Sequence, residues 1–480
     1  MEEFLHLYEM ESLSLGITAR RDVVDQVRRF FLGDAGATSG LYRTALALAS
    51  RHEHKKDAKN DEDEDANEPH KTLRLVVAGN SKECFRNRLR NIQLVALSNA
   101  VVKSRLVGIT SLDFAHNYLG EEQGDGTSTI QANERPGSMG GANDVNGIVL
   151  DETPFLLDAA PALARLLATT AAYASEIEEL HLGGNRIGPE SCKLLCSALT
   201  QYAAPLRWLD LSGNPLRVAG GHAVADLLAH AQCPLVYLNV GNTELEIENV
   251  IAIATALREN TTLVEIHLDK PIVRTKEEEA VQHIGKMLQV NETLRVLSLN
   301  KHQLSDHGAQ VLAERMLDNH SLERLTLRAN SIGATGAAAL AALLLRHDAL
   351  AELDLSANRI GDAGAEAFAK LLRHNTRPLS TLALCSTYLT DDGLAAIARA
   401  CLVPRHAESN RLQSLLLWGN DFGTTSSALF LELHRGRFAD WNVETDFLPV
   451  PTDDDEGDVP NVQIAHREVQ RAAAFASPKR

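Results

Sequence analysis

Aromatic residues make up only 5% of this 480-residue chain, and only three of them are tryptophan. Hydrophobic residues still reach 44%, so leucine and alanine supply most of the material for a core. No run of 18 or more apolar residues occurs, so the sequence offers no membrane span. Positive charge is also short: 47 Lys+Arg stand against 64 Asp+Glu, a formal charge of −17. A nucleic-acid binder normally carries a basic stripe to displace counterions from phosphates, so nucleic acid is not the expected partner. Six cysteines (Cys84, Cys192, Cys196, Cys233, Cys385, Cys401) are too few for a disulfide framework in so long a chain. The first thirty residues mix charged with apolar positions and lack a signal-peptide core. These absences point to a soluble protein of the cytoplasm.

Catalytic signatures are missing too. There is no G-x-x-x-x-G-K-[ST]; residues 283–288 (HIGKML) lack its leading glycine and its hydroxyl. No G-x-S-x-G elbow and no H-E-x-x-H occurs. The pair His52 and His54 lies in a charged tract, where solvation is the simpler reading. Cys192 and Cys196 are four apart with no second pair to complete a zinc site, so they read as buried structural thiols. No enzyme activity, metal or cofactor is expected.

The acidity is concentrated in three places. Residues 51–71 carry a net −3, residues 120–153 a net −6 and residues 444–465 a net −7, which leaves about −1 for everything else. These polar, Gly-rich or charge-blocked stretches have the composition of solvated appendages.

What remains is periodic. Steps of the type L-x-x-L-x-L-x-x-N recur, most clearly at Ile109–Asn117, Ile177–Asn185, Leu206–Asn214, Leu322–Asn330, Leu350–Asn358 and Leu412–Asn420. Four further copies keep the leucines but put Thr243, Pro271, His302 or Thr387 in place of the asparagine, and a degenerate first copy ends at Asn80. From Asn185 to Asn420 the equivalent positions are 28 to 33 residues apart, most often 28 or 29. Such a period marks a strand-plus-helix unit that buries its apolar face only by stacking on its neighbours. Leucines on one side of a short strand point inward while their neighbours point out. The asparagine can bond backbone groups where the chain leaves the strand, and a glycine two or three residues later permits the turn. The helix then follows, as in GDAGAEAFAKLLRHN, with Ala365, Phe368, Ala369 and Leu372 on one face.

With G-x-x-G-A opening each helix, this pattern resembles the ribonuclease-inhibitor-like class of leucine-rich repeat proteins over residues 72–440. The last repeat and its flank resemble leucine-rich repeat-containing protein thirty-four and its ciliary relatives, whose usual ending is a D-x-x-P-Y-x-V-D-G-like cap. Asp446, Phe447 and Pro449 fit that ending, and an acidic insert interrupts the rest. The resemblance implies an α/β fold: an open, curved leucine-rich repeat solenoid with ten or eleven parallel strands on its concave face, helices on its convex face and a helical N-terminal cap. Residues 1–50 are the cap, with Phe4, Leu7 and Tyr8 on one helix and Val23, Val24, Val27, Phe30 and Phe31 on the next. Residues 51–71 are a charged flexible linker. Residues 72–440 are the array, carrying a disordered insert at about 121–150. Residues 441–480 hold a capping strand and an acidic tail, the strand marked by alternating Trp441, Val443, Thr445 and Phe447.

In such an array the partner-facing residues are those between and just beyond the strand leucines. Trp208 and Tyr237 stand out, because aromatics on a sheet face bury much area with little entropy loss; the plainer reading is that neighbours cover them. Glu265 and His267, then Arg324 and Arg328, and finally Trp418 complete the expected protein-binding strip. His181 and His267 share the face three repeats apart, roughly 14 Å, too far to hold one metal. The expected function is a non-enzymatic scaffold for a protein partner, with cilium or centrosome as addresses the resemblance adds. The alternative is a GTPase activator of the Ran type, which has this repeat and an acidic tail. That activator's arginine-bearing loop has no counterpart here beyond the insert that carries Arg135.

Overall fold

Alternation of leucine with other residues gives a short strand two chemically different sides. In the computed structural model, strand Glu352–Asp354 sends Leu353 and its successor Leu355 inward, both 0% exposed, and leaves Glu352 and Asp354 on the opposite face. The structure describes residues 2–32, 73–79, 88–104, 109–120, 159–172, 177–201, 205–273, 279–373, 378–403, 412–451 and 462–466. The expected linker at 51–71, the insert at about 121–150 and tail residues 452–460 lie outside them. The chain divides into two compact units at Pro205 and Leu206.

In the first unit, strands β1 (Leu73–Val76), β2 (Ile109–Asp113) and β3 (Glu179–His181) pair in parallel in that order. Helices α3 (Asn91–Ser104), α4 (Ala159–Ala172) and α5 (Pro189–Gln201) accompany them. Two helices precede β1. Helix α1 (Glu2–Ser14) buries Phe4, Leu5 and Tyr8, while Leu7, expected inside, is half-buried; Glu11 reaches Lys103 and Asn99 on α3. Helix α2 (Arg21–Leu32) buries Val23, Val24 and Val27. Its Gln26 amide makes two hydrogen bonds with the β1 backbone, donating to Val76 O at 2.6 Å and accepting from Val76 N at 2.8 Å. Those bonds occupy backbone groups that an edge strand would otherwise leave open.

The second unit holds nine parallel strands in chain order: β4 (Trp208–Asp210), β5 (Tyr237–Asn239), β6 (Glu265–His267), β7 (Val296–Ser298), β8 (Arg324–Thr326), β9 (Glu352–Asp354), β10 (Thr381–Ala383), β11 (Ser414–Leu416) and β12 (Glu444–Thr445). Helices α6 (Arg217–Ala229) to α13 (Thr424–Arg435) alternate with them. Helix α11 (Gly361–Arg373) buries Ala365, Phe368, Ala369 and Leu372, the face its sequence marks as apolar. After the last repeat, β12 adds a final parallel strand and β13 (Phe447–Pro451) pairs antiparallel with β14 (Val462–His466). Three strands and nine exceed the ten or eleven expected because the degenerate first copy and the capping segment both contribute one.

Three side-chain devices stitch one repeat to the next. The repeat asparagine is the first: Asn358 donates to Leu327 O and Leu355 O and accepts from Ile332 N, so it ties two turns together while fully buried. Where it is replaced, Thr243 donates to Val240 O, Thr387 to Leu384 O and His302 Nε2 to Leu268 O. Burial of the His302 ring pulls its pKa down to about 4, so it serves as a neutral donor. The residue before the asparagine turns left-handed, as at Gly184 and Gly419 but also at Ala357 and Ser386. The second device is an acid at the start of some helices (Asp306, Asp362 and Asp391) that bonds the start of the next helix. Asp391 accepts from the backbone N–H of Gly423, Thr425 and Ser426, and Asp306 from those of Gly333 and Gly336. The glycine after the asparagine has two roles: Gly361 is left-handed at φ 59° and permits the turn as expected, but two others differ. Gly333 and Gly423 are extended, and a Cβ on Gly423 would lie 2.5 Å from Asp391 Cγ; close approach, not turn conformation, requires glycine at these two positions. The third device is a run of asparagines at helix ends: Asn291 donates to Leu257 O and Asn260 O, and Asn319 to Leu288 O and Asn291 O.

Candidate partner-binding face

Parallel pairing without register shift lines up equivalent residues of the second unit in columns. Trp208, Tyr237, Glu265, Val296, Arg324, Glu352, Thr381, Ser414 and Glu444 are successive cross-strand partners. Asp210, Asn239, His267, Ser298, Thr326, Asp354, Ala383 and Leu416 form the adjoining column. Every sequence-nominated residue of the strip falls in these columns or just past them, with Arg328 and Trp418 in the latter position.

The columns are internally bonded. The Trp208 and Tyr237 rings stack 6° from parallel with centroids 3.5 Å apart, and both side chains are buried. Burial, then Asp210 and Glu265, pushes the Tyr237 phenol well above its ordinary pKa, so it stays neutral. His267 lies against Tyr237 and bonds Glu265 at 2.7 Å. Burial opposes the charged imidazole, but Glu265, Asp269 and Asp210 outweigh it and raise the His267 pKa. Next to it, Asp269 accepts from Ser298 Oγ, Asn300 N and Asn300 Nδ2, and Thr326 Oγ1 donates to Ser298 Oγ. Arg324 clamps the cross-strand Glu352 bidentately at 2.6 and 3.0 Å and is itself only 8% exposed. Trp208, Tyr237 and Arg324 are therefore structural members of the face as well as members of the nominated strip. Arg328 is half-buried, and Trp418 is 37% exposed with its ring against His466 of β14. Seven carboxylates (Asp210, Glu265, Asp269, Glu352, Asp354, Glu444, Asp446) against Arg324 and Arg328 make this face acidic.

At the end of the columns, Asp446 is buried and does the work of a missing strand. Its Oδ1 accepts from Leu417 N and Trp418 N, where the preceding repeat has Leu384 N donating to Leu416 O. Its Oδ2 takes the Cys385 thiol at 3.1 Å, and burial together with that carboxylate pushes the thiol up to about 12. Sequence reasoning noted Asp446 only through its resemblance to a cap. The Cys385 contact, 61 residues away, had no local signal; only the column register places the two together. In the first unit the strand face carries its own Glu–x–His pair, with His181 Nε2 3.5 Å from Glu179, and Arg74 3.3 Å from Asp113.

Among the described residues no cluster of three His, Cys, Asp or Glu side chains could hold a metal ion, and no helix is long and apolar enough to cross a membrane. The family profile described as Leucine Rich repeat matches residues 177–196, 290–313, 318–341 and 350–369. A 70-residue stretch is 36% identical to Leucine-rich repeat-containing protein 34 of Mus musculus, spanning 15% of this chain and 17% of that protein. Among solved structures, an internalin of Listeria monocytogenes is similar over 88% of this chain and 87% of its own, at 16% identity and a TM-score of 0.40. The tropomodulin C-terminal domain of Caenorhabditis elegans is similar over 32% of this chain and 90% of its own, at 19% identity and a TM-score of 0.27. Such loose overlays leave the fold to rest on the repeats themselves.

Proposed function

We propose that this leucine-rich repeat protein is a non-enzymatic scaffold that receives a protein partner on the strand face of its second unit. The observation that carries the reading is the column register: aromatic, ionic and hydroxyl side chains from nine consecutive strands share one surface. Such a surface offers area and varied chemistry without a reacting group. Its prevailing carboxylates favour a partner segment bearing Lys or Arg, which would also be steered to it electrostatically. Arg328 and Trp418 are the members of the strip with the most freedom to contact such a partner. Trp208, Tyr237, Glu265, His267 and Arg324 act as the bonded floor beneath it. Cytoplasm, and within it a ciliary or centrosomal assembly, is the address that the resemblance of the ending supports. The GTPase-activator reading gains no observation, and Arg135 lies outside the described residues.

The test is a tagged full-length chain expressed in its native cells. Arg328→Ala with Trp418→Ala, which truncates contact area without adding negative charge that would attract a basic partner, should remove the proteins captured by the wild type at an unchanged melting temperature. Lys370→Asp, on the exposed side of α11, should remove none. The opposite pattern would move the partner to the helix side.

A further inference from the structure

We infer a second interaction site, on the turn edge of the first unit, that binds an acidic segment of a protein partner. Arg88, Tyr118 and Arg186 lie on three successive turns just past the strand side, held in ladder register by Tyr118 N–H donating to Leu89 O and Arg186 N–H donating to Leu119 O. The two guanidinium carbons stand 5.0 and 4.9 Å from the centre of the Tyr118 ring. Tyr118 is 42% exposed, Arg186 is exposed and Arg88 is half-buried. Arg90, exposed, pairs with Tyr118 in the same ladder. No carboxylate partner of Arg88, Arg90 or Arg186 exists among the described residues, and Arg88 Nε is buried without a hydrogen-bond acceptor.

Stacking on an aromatic face fixes a guanidinium's plane and leaves its edge N–H groups free, the geometry that grips an oxyanion bidentately. Among the described residues nothing gives a reason for the cluster. The fold needs no tyrosine between two arginines there, and elsewhere the exposed arginine Arg217 has its own acid, Glu244. The spacing selects the ligand. The two carbons lie no more than 9.9 Å apart, and carboxylates three residues apart on a polyproline-II chain share one side roughly 9 Å apart. Each arginine can then take its own carboxylate while the ligand backbone crosses the Tyr118 edge. One phosphate would have to draw both guanidiniums off the ring. A nucleic acid would need a continuing basic track, which three arginines do not make.

The probe is a fluorescein-labelled peptide with four glutamates, each separated by two serines, titrated into the full chain by anisotropy at physiological ionic strength. Binding should be at least about tenfold tighter than for the glutamine version of the peptide and should weaken with salt. Arg186→Gln should cost several-fold and Arg88→Gln/Arg186→Gln most of the affinity, with Arg217→Gln unchanged. Arg186→Gln changes an exposed side chain, so the fold survives even if the double variant does not. The lysine double variant, Arg88→Lys/Arg186→Lys, should also bind several-fold less, because it keeps charge but loses the fork. Equal binding of the glutamine peptide, or equal binding by the lysine variant, would overturn the clamp. So would tighter binding of a labelled oligothymidylate, or peptide binding that appears only after residues 121–150 are deleted.

Discussion

Replacing Asp391 with alanine tests whether an acid at a helix start holds the next repeat in place. Its carboxylate accepts from Ser426 N at 2.7 Å and from Gly423 N and Thr425 N at 3.2 Å, all at the start of α13 one repeat on. Burial raises its pKa, but the bonds from Ser426 and Thr425 outweigh that and hold it at about 2, against an ordinary 3.8. That difference corresponds to a ceiling of about 2.4 kcal/mol. Asp391 is only partly shielded from solvent, so roughly 1 kcal/mol is the working figure, within the usual range for losing a helix cap. The group's folded pKa is depressed, so its contribution is fully present above pH 4 and is lost as pH falls toward 2; about half remains at pH 3. Urea unfolding of wild type and Asp391→Ala at pH 7 and pH 3 should show the gap shrinking accordingly. Asp392→Ala is the control, because its carboxylate caps nothing. A gap independent of pH, or one matched by Asp392→Ala, would refute the inter-repeat cap.

The asparagine ladder and the terminal thiol give two further tests. Asn358→Ala strips two buried carbonyls and one buried N–H of their partner and should cost about 2–3 kcal/mol by urea unfolding. Asn358→Thr should recover part of it, because Thr243 and Thr387 already donate in that way. Cys385, with its thiol pushed up to about 12, should resist maleimide at pH 8 until the chain unfolds, as counted by mass spectrometry; rapid native labelling would mean that Asp446 does not cover it.

The repeat frame was legible because two periods coincide. Leucines at every second strand position say which side is inside, and a 28–29-residue recurrence says where the next strand lies. Together they assign Trp208, Tyr237, Glu265 and Arg324 to one column before any coordinates exist. The caps were harder to read. Gln26 closes the β1 edge across 50 residues, a contact with no period to announce it. Leu5 is buried where Leu7 was expected, because α1 packs chiefly on α3 and has no repeat register to fix its rotation.

Chemistry within the face was less legible than its membership, for a physical reason. A column lists neighbours, but whether neighbours bond each other or wait for a partner depends on side-chain reach and charge. Arg324 and Glu352 are adjacent and opposite in sign, so they close on each other; the sequence showed the arginine and gave no weight to the acid beside it. The same holds for Trp208 beside Tyr237, an aromatic pair that stacks flat and buries itself. Arg328, two positions past the strand, has Asn300 as its cross-strand neighbour, which takes its backbone N–H and no charge. An arginine between uncharged neighbours on an otherwise acidic face keeps its guanidinium for something else. That criterion, charge not cancelled in its own column, separates the residues that build the surface from those that use it, and it can be applied to any repeat array once its register is known.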